Sequence, residues 1–192
     1  EEMPVPVIGP GELLLKVEAS GLCGSDVMEW YRIQKAPMVL GHGVSGEVVQ
    51  AGAGVDQYKE GDRLVVTHHV PCNACHWCLS GRHTDCDTLH NTSFDPGGFA
   101  EYLRIPQINV NRGVFPIPDH VDYDEASITE PLACVYRGQR RANLQPGQNV
   151  LVLGSGLAGL IHINLARALG AGRIIATDMV EYRLEAARKL GA

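Results

Sequence analysis

The sequence predicts an α/β protein with an all-β part, in which a barrel-like β module is followed by a strand–helix–strand–helix unit. Short segments that alternate apolar and polar residues, with glycine-rich turns, dominate the first part and are typical of antiparallel strands. Fully apolar runs then alternate with helical patterns, which is typical of a parallel sheet. The change falls at Pro116-Ile117-Pro118, so we expect one domain over residues 1–118 and a second over residues 119–192.

Composition excludes several classes of protein. The 192 residues are 45% hydrophobic and 20% charged, as in an ordinary soluble globular protein. A net charge of −6 without a basic run argues against a nucleic-acid surface, and the apolar runs are shorter than the ~20 residues of a membrane span. No basic segment followed by an apolar one is visible at the start, so we expect no secretory signal and a reducing, cytoplasmic compartment.

Strand patterns and one long irregular segment make up the first predicted domain. Gly46 lies inside the second strand pattern, where it predicts a bend or a β-bulge. Residues 68–92 have no periodicity and are rich in Cys, His, Asn and Thr, and metal ligation would explain so long a loop in a compact domain. The predicted strands are residues 12–20, 43–55, 63–67 and 99–105.

Helical and buried-strand patterns alternate in the second predicted domain. A short helix is predicted over residues 124–129, and Pro131 should open the next helix, because proline disfavours the helical conformation for the preceding Glu130. We therefore expect Glu130 at a break between two helices. The remaining predicted elements are helix 132–142, strand 149–154, helix 157–169 ended by Gly170, strand 173–178 and helix 181–190 ended by Gly191.

The cysteines in Cys72-x2-Cys75-x2-Cys78-x7-Cys86 form the strongest motif. Thiolates suit tetrahedral Zn2+, two-residue gaps let one loop surround one ion, and four ligands fill its shell, so we predict a structural zinc. Disulfides or buried thiols are the plainer alternative, which a reducing compartment disfavours. An iron–sulfur cluster is the other alternative, but the long last gap followed by Asp87 does not fit the bacterial ferredoxin pattern.

A second set of metal-binding residue types is scattered along the chain, namely Cys23, His42 and Glu130. Each follows or interrupts a predicted element, and one thiolate, one imidazole and one carboxylate would leave a fourth zinc position open, as in catalytic sites. Taken singly, each residue also has an ordinary explanation: a small core cysteine, a hydrogen-bonded histidine and a helix-capping glutamate. Their spacing alone leaves both interpretations open.

A glycine-rich loop connects the first predicted strand of the second domain to the following helix. Its glycines permit a tight turn, and the helix N-terminus offers N–H donors to a pyrophosphate. Asp178 ends the next strand, where its carboxylate would accept from ribose hydroxyls and repel a 2′-phosphate. The pattern favours NAD; the nearby Arg183 leaves NADP open, and a turn without a ligand is the plainer alternative. The loop residues are Gly154, Ser155, Gly156, Leu157, Ala158 and Gly159.

Together these features resemble the zinc-dependent medium-chain alcohol dehydrogenase family, closest to its polyol and threonine dehydrogenase branches. The matching stretches, besides the four-cysteine loop, are VEASGLCGSD, KAPMVLGH, SGEVV, YKEGDRLVV, GGFAEYLRIP, ITEPLACV and VLVLGSGLAGL through to RLEAARKLGA. The resemblance covers nearly the whole chain. It implies a GroES-like β-barrel catalytic domain followed by part of a Rossmann domain.

The resemblance also implies an activity, which is the NAD-dependent oxidation of a secondary alcohol or polyol. Cys23, His42 and Glu130 would bind the catalytic zinc, and Ser25 would begin a proton relay from the bound alcohol. With the structural zinc, this makes two zinc ions per chain besides NAD. The expected assembly is a homo-oligomer, either a dimer or a tetramer, with a small-molecule substrate.

Two departures from the family lead to a second hypothesis. Glutamate usually follows the histidine of the GH motif, but Gly43 follows His42 here, so Glu130 becomes the only acidic candidate and we expect weaker zinc binding or impaired catalysis. Family members also begin earlier and continue beyond Ala192, so we expect either a fragment of a longer protein or an incomplete sequence. A zinc-stabilised binding or assembly module that has lost catalysis is therefore the alternative to an enzyme.

Overall fold

The computed structural model describes residues 2–192, apart from the Lys35 side chain, and the chain divides into one unit that ends at Thr129 and a second, Glu130–Ala192. The strands of the first unit are β1 (Leu13–Gly21), β2 (Gly43–Ala51), β3 (Arg63–Thr67), β4 (Tyr102–Ile105) and β5 (Val114–Pro116). Those of the second unit are β6 (Val150–Leu153) and β7 (Ile174–Thr177).

Short helices join the strands of the first unit, and longer ones those of the second. The first unit contains α1 (Glu29–Arg32), α2 (His76–Leu79), α3 (Asp87–Asn91), α4 (Gln107–Arg112) and α5 (Tyr123–Ser127), with 3-10 turns at Gly24–Val27, Ile33–Lys35 and His83–Asp85. The second unit contains α6 (Thr129–Arg141, which begins one residue before the unit), α7 (Leu157–Ala168) and α8 (Glu181–Leu190). No helix in residues 2–192 has the length and apolar character needed to cross a membrane.

An antiparallel five-stranded sheet in the order β4-β1-β2-β3-β5 organises the first unit. Most of its buried apolar residues meet in a main core, and each fully buried side chain contributes roughly 1.5–3 kcal/mol to folding. The four predicted strands are confirmed: β3 has its predicted bounds, β1 is shifted by one residue, and β2 and β4 are shorter than their sequence patterns. The buried members of this core are Leu13, Leu15, Val44, Val48, Leu64, Val66, Phe94, Leu103, Ile105, Val110 and Val114.

The predicted irregularity at Gly46 is confirmed, although the extra residue belongs to the opposite strand. The pairing of β1 with β2 shifts register between Val17 and Ala19, opposite Gly46 and Ser45. The bulged strand approaches so closely that a Cβ atom on Gly46 would collide with the Lys16 carbonyl oxygen. Glycine is therefore required here for close backbone approach.

The segment 68–92 differs from the structureless loop expected from its sequence, because α2, a 3-10 turn and α3 lie within it. Each of these elements is too short to produce a visible helical period. Their ends position cysteines: Cys75 precedes α2, and Cys86 precedes α3. The segment α4 and strand β5 were likewise not predicted, for the same reason of length.

The expected helix break at Glu130 is wrong. The helix α6 begins at Thr129 and includes both Glu130 and Pro131 in its first turn. Proline is tolerated there because first-turn N–H groups have no intrahelical acceptor, so no hydrogen bond is lost. The chain instead leaves the helical path at Ile128, which ends α5.

The boundary between the two units, at Thr129, falls later in the sequence than the predicted domain boundary after Pro118. The cause is α5, which packs on the sheet of the first unit. The Ser45 hydroxyl donates to the Tyr123 carbonyl oxygen at 2.6 Å, and Ala126 joins a small core with Val65 and Ile117. The helix α5 therefore belongs to the β unit, although the predicted boundary placed it in the second domain.

The second unit is the expected strand–helix–strand–helix arrangement. Strands β6 and β7 pair in parallel, and α7 and α8 pack against them around a core that includes Val152, Ile163 and Ala166. The predicted bounds of α8 are confirmed, and Gly191 follows it with φ of 109°, the left-handed conformation that ends helices. The chain thus combines an antiparallel β unit with a parallel strand–helix–strand–helix unit, in the order that the sequence predicts.

Candidate functional site

The four-cysteine site is assembled within the first unit. The sulfur atoms of Cys72, Cys75, Cys78 and Cys86 all lie within 4.8 Å of one another, with Cys75 and Cys78 at 3.6 Å and Cys72 and Cys78 at 3.9 Å. A tetrahedral zinc with Zn–S bonds of ~2.3 Å separates its sulfur ligands by about 3.8 Å. All four cysteines are free thiols, so the disulfide alternative is wrong and the donor set fits a structural zinc.

Backbone N–H groups of the loop prepare two of these sulfurs for metal binding. The N–H of Cys72 donates to the Cys86 sulfur, and this is the main reason that the Cys86 pKa is lowered to about 6. The N–H groups of Ala74 and Cys75 donate to the Cys72 sulfur and lower its pKa. Burial has the opposite effect on Cys78 and raises its pKa to about 12, so metal binding would have to displace that proton.

A buried carboxylate links two residues of the predicted catalytic zinc site. Cys23 precedes the 3-10 turn Gly24–Val27, and its N–H donates to Asp26 Oδ2 at 3.0 Å. The other oxygen, Asp26 Oδ1, accepts from the Gly41 N–H and lies 3.3 Å from His42 Nδ1. With Nδ1 donating to Asp26, His42 keeps its Nε2 for a metal. Our sequence reasoning missed Asp26, although a carboxylate close after Cys23 was a usable signal.

A cavity of about 340 Å³ lies next to this turn, entirely within the first unit. Ser25, two residues after Cys23, lines it together with Arg32, His42 and His68. The His42 and His68 rings are 4.7 Å apart between centroids, so His68 covers one side of the predicted zinc ligand. The wall also includes His69 and Asn91, and it is rich in hydrogen-bonding groups.

The third predicted ligand, Glu130, lies in the first turn of α6 and belongs to the second unit. Its Oε1 accepts from the Cys134 thiol at 3.3 Å. Since Cys23 and His42 belong to the first unit, the complete set of three ligands stays a prediction. Among residues 2–192, the four cysteines are the one group of three or more Cys, His, Asp or Glu side chains that lie close enough together to share a metal ion.

The position after His42 leaves little room for a side chain. Gly43 begins β2 and is buried, and a Cβ atom there would come within 2.8 Å of the Ser127 carbonyl oxygen. A glutamate at this position would therefore require the backbone of α5 to move. The packing of α5 on β2 is thus compatible with the glycine found at this position.

The glycine-rich loop lies between β6 and α7, as predicted, and its glycines have different roles. Gly154 has φ of 92°, a conformation that strongly favours glycine, while a Cβ on Gly159 would collide with the Gly154 carbonyl oxygen. A Cβ on Gly156 would meet no atom within 4 Å, so this side of the loop has open space for a ligand. Leu157 and Ala158 open α7, whose first N–H groups face no intrahelical acceptor.

Asp178 follows β7 and is held against the same loop. Its carboxylate accepts from the N–H groups of Ser155 at 2.8 Å and Val180 at 2.9 Å, and these hydrogen bonds lower its pKa. The Arg183 guanidinium lies 3.8 Å away and acts in the same direction. Asp178 is therefore an anion at neutral pH beside the predicted nucleotide loop.

Comparison with known proteins identifies the family to which the chain belongs. Residues 9–119 match the family described as "Alcohol dehydrogenase GroES-like domain". The chain is 40% identical over 201 residues to sorbitol dehydrogenase of Bacillus subtilis, covering all of this chain and 56% of that protein.

Solved structures give the same result. Galactitol-1-phosphate dehydrogenase of Escherichia coli superposes with a TM-score of 0.86 at 31% identity, over all of this chain and 56% of the other. Acetophenone reductase of Geotrichum candidum, solved in complex with NAD, superposes with a TM-score of 0.82 at 32% identity, over all of this chain and 57% of the other. The chain thus spans little more than half the length of these relatives.

Proposed function

Because the chain belongs to the zinc-dependent medium-chain alcohol dehydrogenase family, we propose that it carries the zinc sites and the nucleotide loop of an oxidoreductase that transfers hydride between an alcohol and NAD. The substrate class is a secondary alcohol or a polyol. The observation that carries the proposal is the arrangement of Cys23, Asp26 and His42 beside a cavity lined by Ser25.

Cys23, His42 and Glu130 would hold the catalytic zinc, and the four-cysteine site would hold the structural one. When bound, the catalytic zinc supplies a Lewis acid that lowers the pKa of a coordinated hydroxyl group. The Cys23 thiolate and the Glu130 carboxylate would balance the charge of this zinc ion. Asp26 Oδ1 lies 3.3 Å from His42 Nδ1, so it would accept from Nδ1, orient the ring and leave Nε2 for the metal. Ser25 lies in the same turn and would move a proton out of the cavity.

The second unit would bind the dinucleotide. The open space around Gly156 and the first turn of α7 suit a pyrophosphate, since unpaired N–H groups and the helix dipole favour an anion there. The lowered pKa of Asp178 keeps its carboxylate ionised, so it would accept hydrogen bonds from the ribose hydroxyls. Its charge disfavours the 2′-phosphate of NADP, while the neighbouring Arg183 moderates that preference.

The polar lining of the cavity supports a polyol as the substrate. Ser25, His69, Asn91 and Ser93 offer hydroxyl, imidazole and amide groups to substrate hydroxyls. Two of the relatives described above carry polyol or polyol-phosphate names, in keeping with such a wall.

The second hypothesis, a zinc-stabilised module without catalysis, is favoured by one observation, the glycine that replaces the glutamate after His42. Gly43 gives the zinc no backing carboxylate, and its tight contact with Ser127 keeps one from being added without strain. If the protein is an enzyme, it should reduce NAD in the presence of an alcohol. If it is a zinc-stabilised module, it should retain the structural zinc tightly and show no such activity.

We also propose a homo-oligomer, a dimer or a tetramer, that works in the cytoplasm, where thiols stay reduced and the four-cysteine site keeps its metal. Light scattering on the eluting protein measures the mass of the assembly directly. A monomer at micromolar concentration would contradict the proposal of an oligomer.

The proposed activity is tested with metal analysis of the complete protein and an NAD reduction screen over sorbitol, xylitol, threonine and simple secondary alcohols. The expected result is two zinc ions per chain and NADH formation with at least one polyol. A Cys23→Ser variant should lose the activity and one zinc ion, while keeping the structural zinc. Activity that survives this substitution at the wild-type rate would contradict the assigned site.

A further inference from the structure

Arg32, which no part of the proposed function uses, makes hydrogen bonds to both functional residues of the Gly24–Val27 turn. It ends the short helix α1, and its side chain reaches back over this turn. Nε donates to the Ser25 carbonyl oxygen at 2.7 Å, and Nη2 donates to the Ser25 hydroxyl oxygen at 3.1 Å and to Asp26 Oδ1 at 3.2 Å. The guanidinium also lies 5.0 Å from the Tyr31 ring centroid, which holds it in place.

The contact with Asp26 supplies a charge that this carboxylate requires. The Asp26 side chain is only 2% exposed, and a buried carboxylate is costly unless a cation pairs with it. His42 is neutral when it ligates a metal, so it cannot neutralise Asp26 in that state. The Arg32 guanidinium, whose Nη2 lies 3.2 Å from Oδ1, is the cation that pairs with Asp26.

The contact with Ser25 determines where the serine hydroxyl can donate. A hydroxyl has one proton and two lone pairs, and Arg32 occupies one lone pair of Ser25 Oγ. A guanidinium has no acceptor, so the Ser25 proton cannot point towards Arg32 and is available to an acceptor elsewhere in the cavity. The same donor stabilises negative charge that develops on Oγ as its proton leaves.

We propose that Arg32 is a positioning residue that holds the Ser25 hydroxyl and the Asp26 carboxylate in the arrangement required for proton transfer and for metal binding. The proposal rests on the proposed function for its kinetic part. Ser25 Oγ takes the proton of the alcohol as its own proton passes to water, so no net charge stays on the serine. The electron pair of the broken O–H bond remains on the alcohol oxygen.

Arg63 provides a matched control for Arg32. Its guanidinium also stacks on a tyrosine, at 4.7 Å from the Tyr123 ring centroid, and it also donates to a backbone carbonyl, that of Val121, at 2.7 Å. Arg63 does not line the cavity that contains Ser25. Substitution of either arginine by methionine thus removes the same kinds of contact, but only Arg32→Met affects the Ser25 and Asp26 partners.

The kinetic experiment compares Arg32→Met, Arg32→Lys and Arg63→Met in the complete protein at full zinc occupancy. Arg32→Met should lower kcat by about 10²-fold, with KM changed by less than about threefold and an increased solvent deuterium isotope effect, because proton transfer becomes rate-limiting. Arg32→Lys should restore roughly a tenth of the wild-type rate, since it keeps the charge without the fork of donors. Arg63→Met should keep kcat within about twofold of the wild type.

A second readout does not depend on turnover. Release of the more labile zinc to a chelator should be about 10-fold faster in Arg32→Met than in the wild type and in Arg63→Met, because His42 loses its fixed orientation. If none of the alcohols tested supports NAD reduction by the wild-type protein, the proposed function fails. The zinc-release measurement still tests the role of Arg32.

Equal zinc release from all variants, or a kcat per bound zinc in Arg32→Met within threefold of the wild type, would overturn the proposal. If Arg32→Met does not fold, Arg32→Lys decides, and a wild-type kcat and isotope effect in that variant overturn it as well.

Discussion

The Nδ1 atom of His42 lies 3.3 Å from Oδ1 of Asp26, and Oδ2 of the same carboxylate accepts from the backbone N–H of Cys23 at 3.0 Å. One buried acid therefore contacts both residues that we expect to bind the catalytic zinc in the first unit. Such a carboxylate behind a metal-bound histidine fixes the ring and its tautomer. The four-cysteine site is organised differently, by backbone N–H groups that donate to sulfur.

The Asp26–His42 contact predicts the behaviour of Asp26→Asn. An amide can present its NH2 group to Nδ1 and no longer fixes the tautomer, so we expect zinc affinity at the site of Cys23 and His42 to fall about 10–100-fold. Competition with a chromophoric chelator measures this. Asp56→Asn, which changes an exposed acid of the same unit, is the control and should leave the affinity unaltered. Equal affinity in both variants would show that Asp26 does not support a metal ligand.

The two zinc sites should release metal at different rates. The four-cysteine site has a complete shell of thiolates, whereas the other has an open position and no carboxylate from Gly43 behind it. Mild chelation followed over time should resolve two phases of equal amplitude. Cys75→Ser should remove the slow phase, while His83→Asn, which changes an exposed histidine of the same loop, should retain it. A single phase containing both zinc ions would contradict the assignment.

Glu130→Gln tests the predicted third ligand. The amide keeps the size of the side chain and a hydrogen-bond acceptor for Cys134, but it binds zinc poorly. We expect a large loss of the labile zinc and of turnover, with a Tm within about 2 °C of the wild type, because a substitution that keeps size and shape at a partly exposed position in the first turn of a helix costs little. Glu185→Gln on α8 is the matched control at an exposed helical site. Full zinc occupancy in Glu130→Gln would leave helix capping as the role of Glu130.

Asp178→Ser tests the cofactor assignment. The substitution removes a charge that is maintained by hydrogen bonds from Ser155 and Val180, and with it the repulsion of a 2′-phosphate. The preference for NAD over NADP should fall about tenfold or more, as measured by the ratio of dissociation constants in fluorescence titrations. Glu181→Gln, an exposed acid at the start of α8, should preserve the ratio. An unchanged ratio in Asp178→Ser would mean that another residue selects the cofactor.

Local pattern in the sequence was sufficient for the four-cysteine ligand set, the place of the glycine-rich loop and the helix α8. The spacing of Cys72, Cys75, Cys78 and Cys86 puts four thiols in one loop, and the structure has their sulfurs within 4.8 Å of one another. Apolar periodicity and a terminal glycine gave the bounds of α8. In these segments the residues that determine the conformation are close in sequence, so residue spacing and periodicity are enough to predict it.

Only the tertiary structure decided the supporting contacts of the predicted catalytic site. Asp26 and His42 meet because β2 brings the chain back to the Gly24–Val27 turn, and Arg32 reaches Ser25 from a helix too short to leave a period. The place of α5 on the first sheet likewise depends on the contact between Ser45 and Tyr123. These are contacts between irregular segments, and their formation depends on the packing of the whole unit, which residue spacing does not encode.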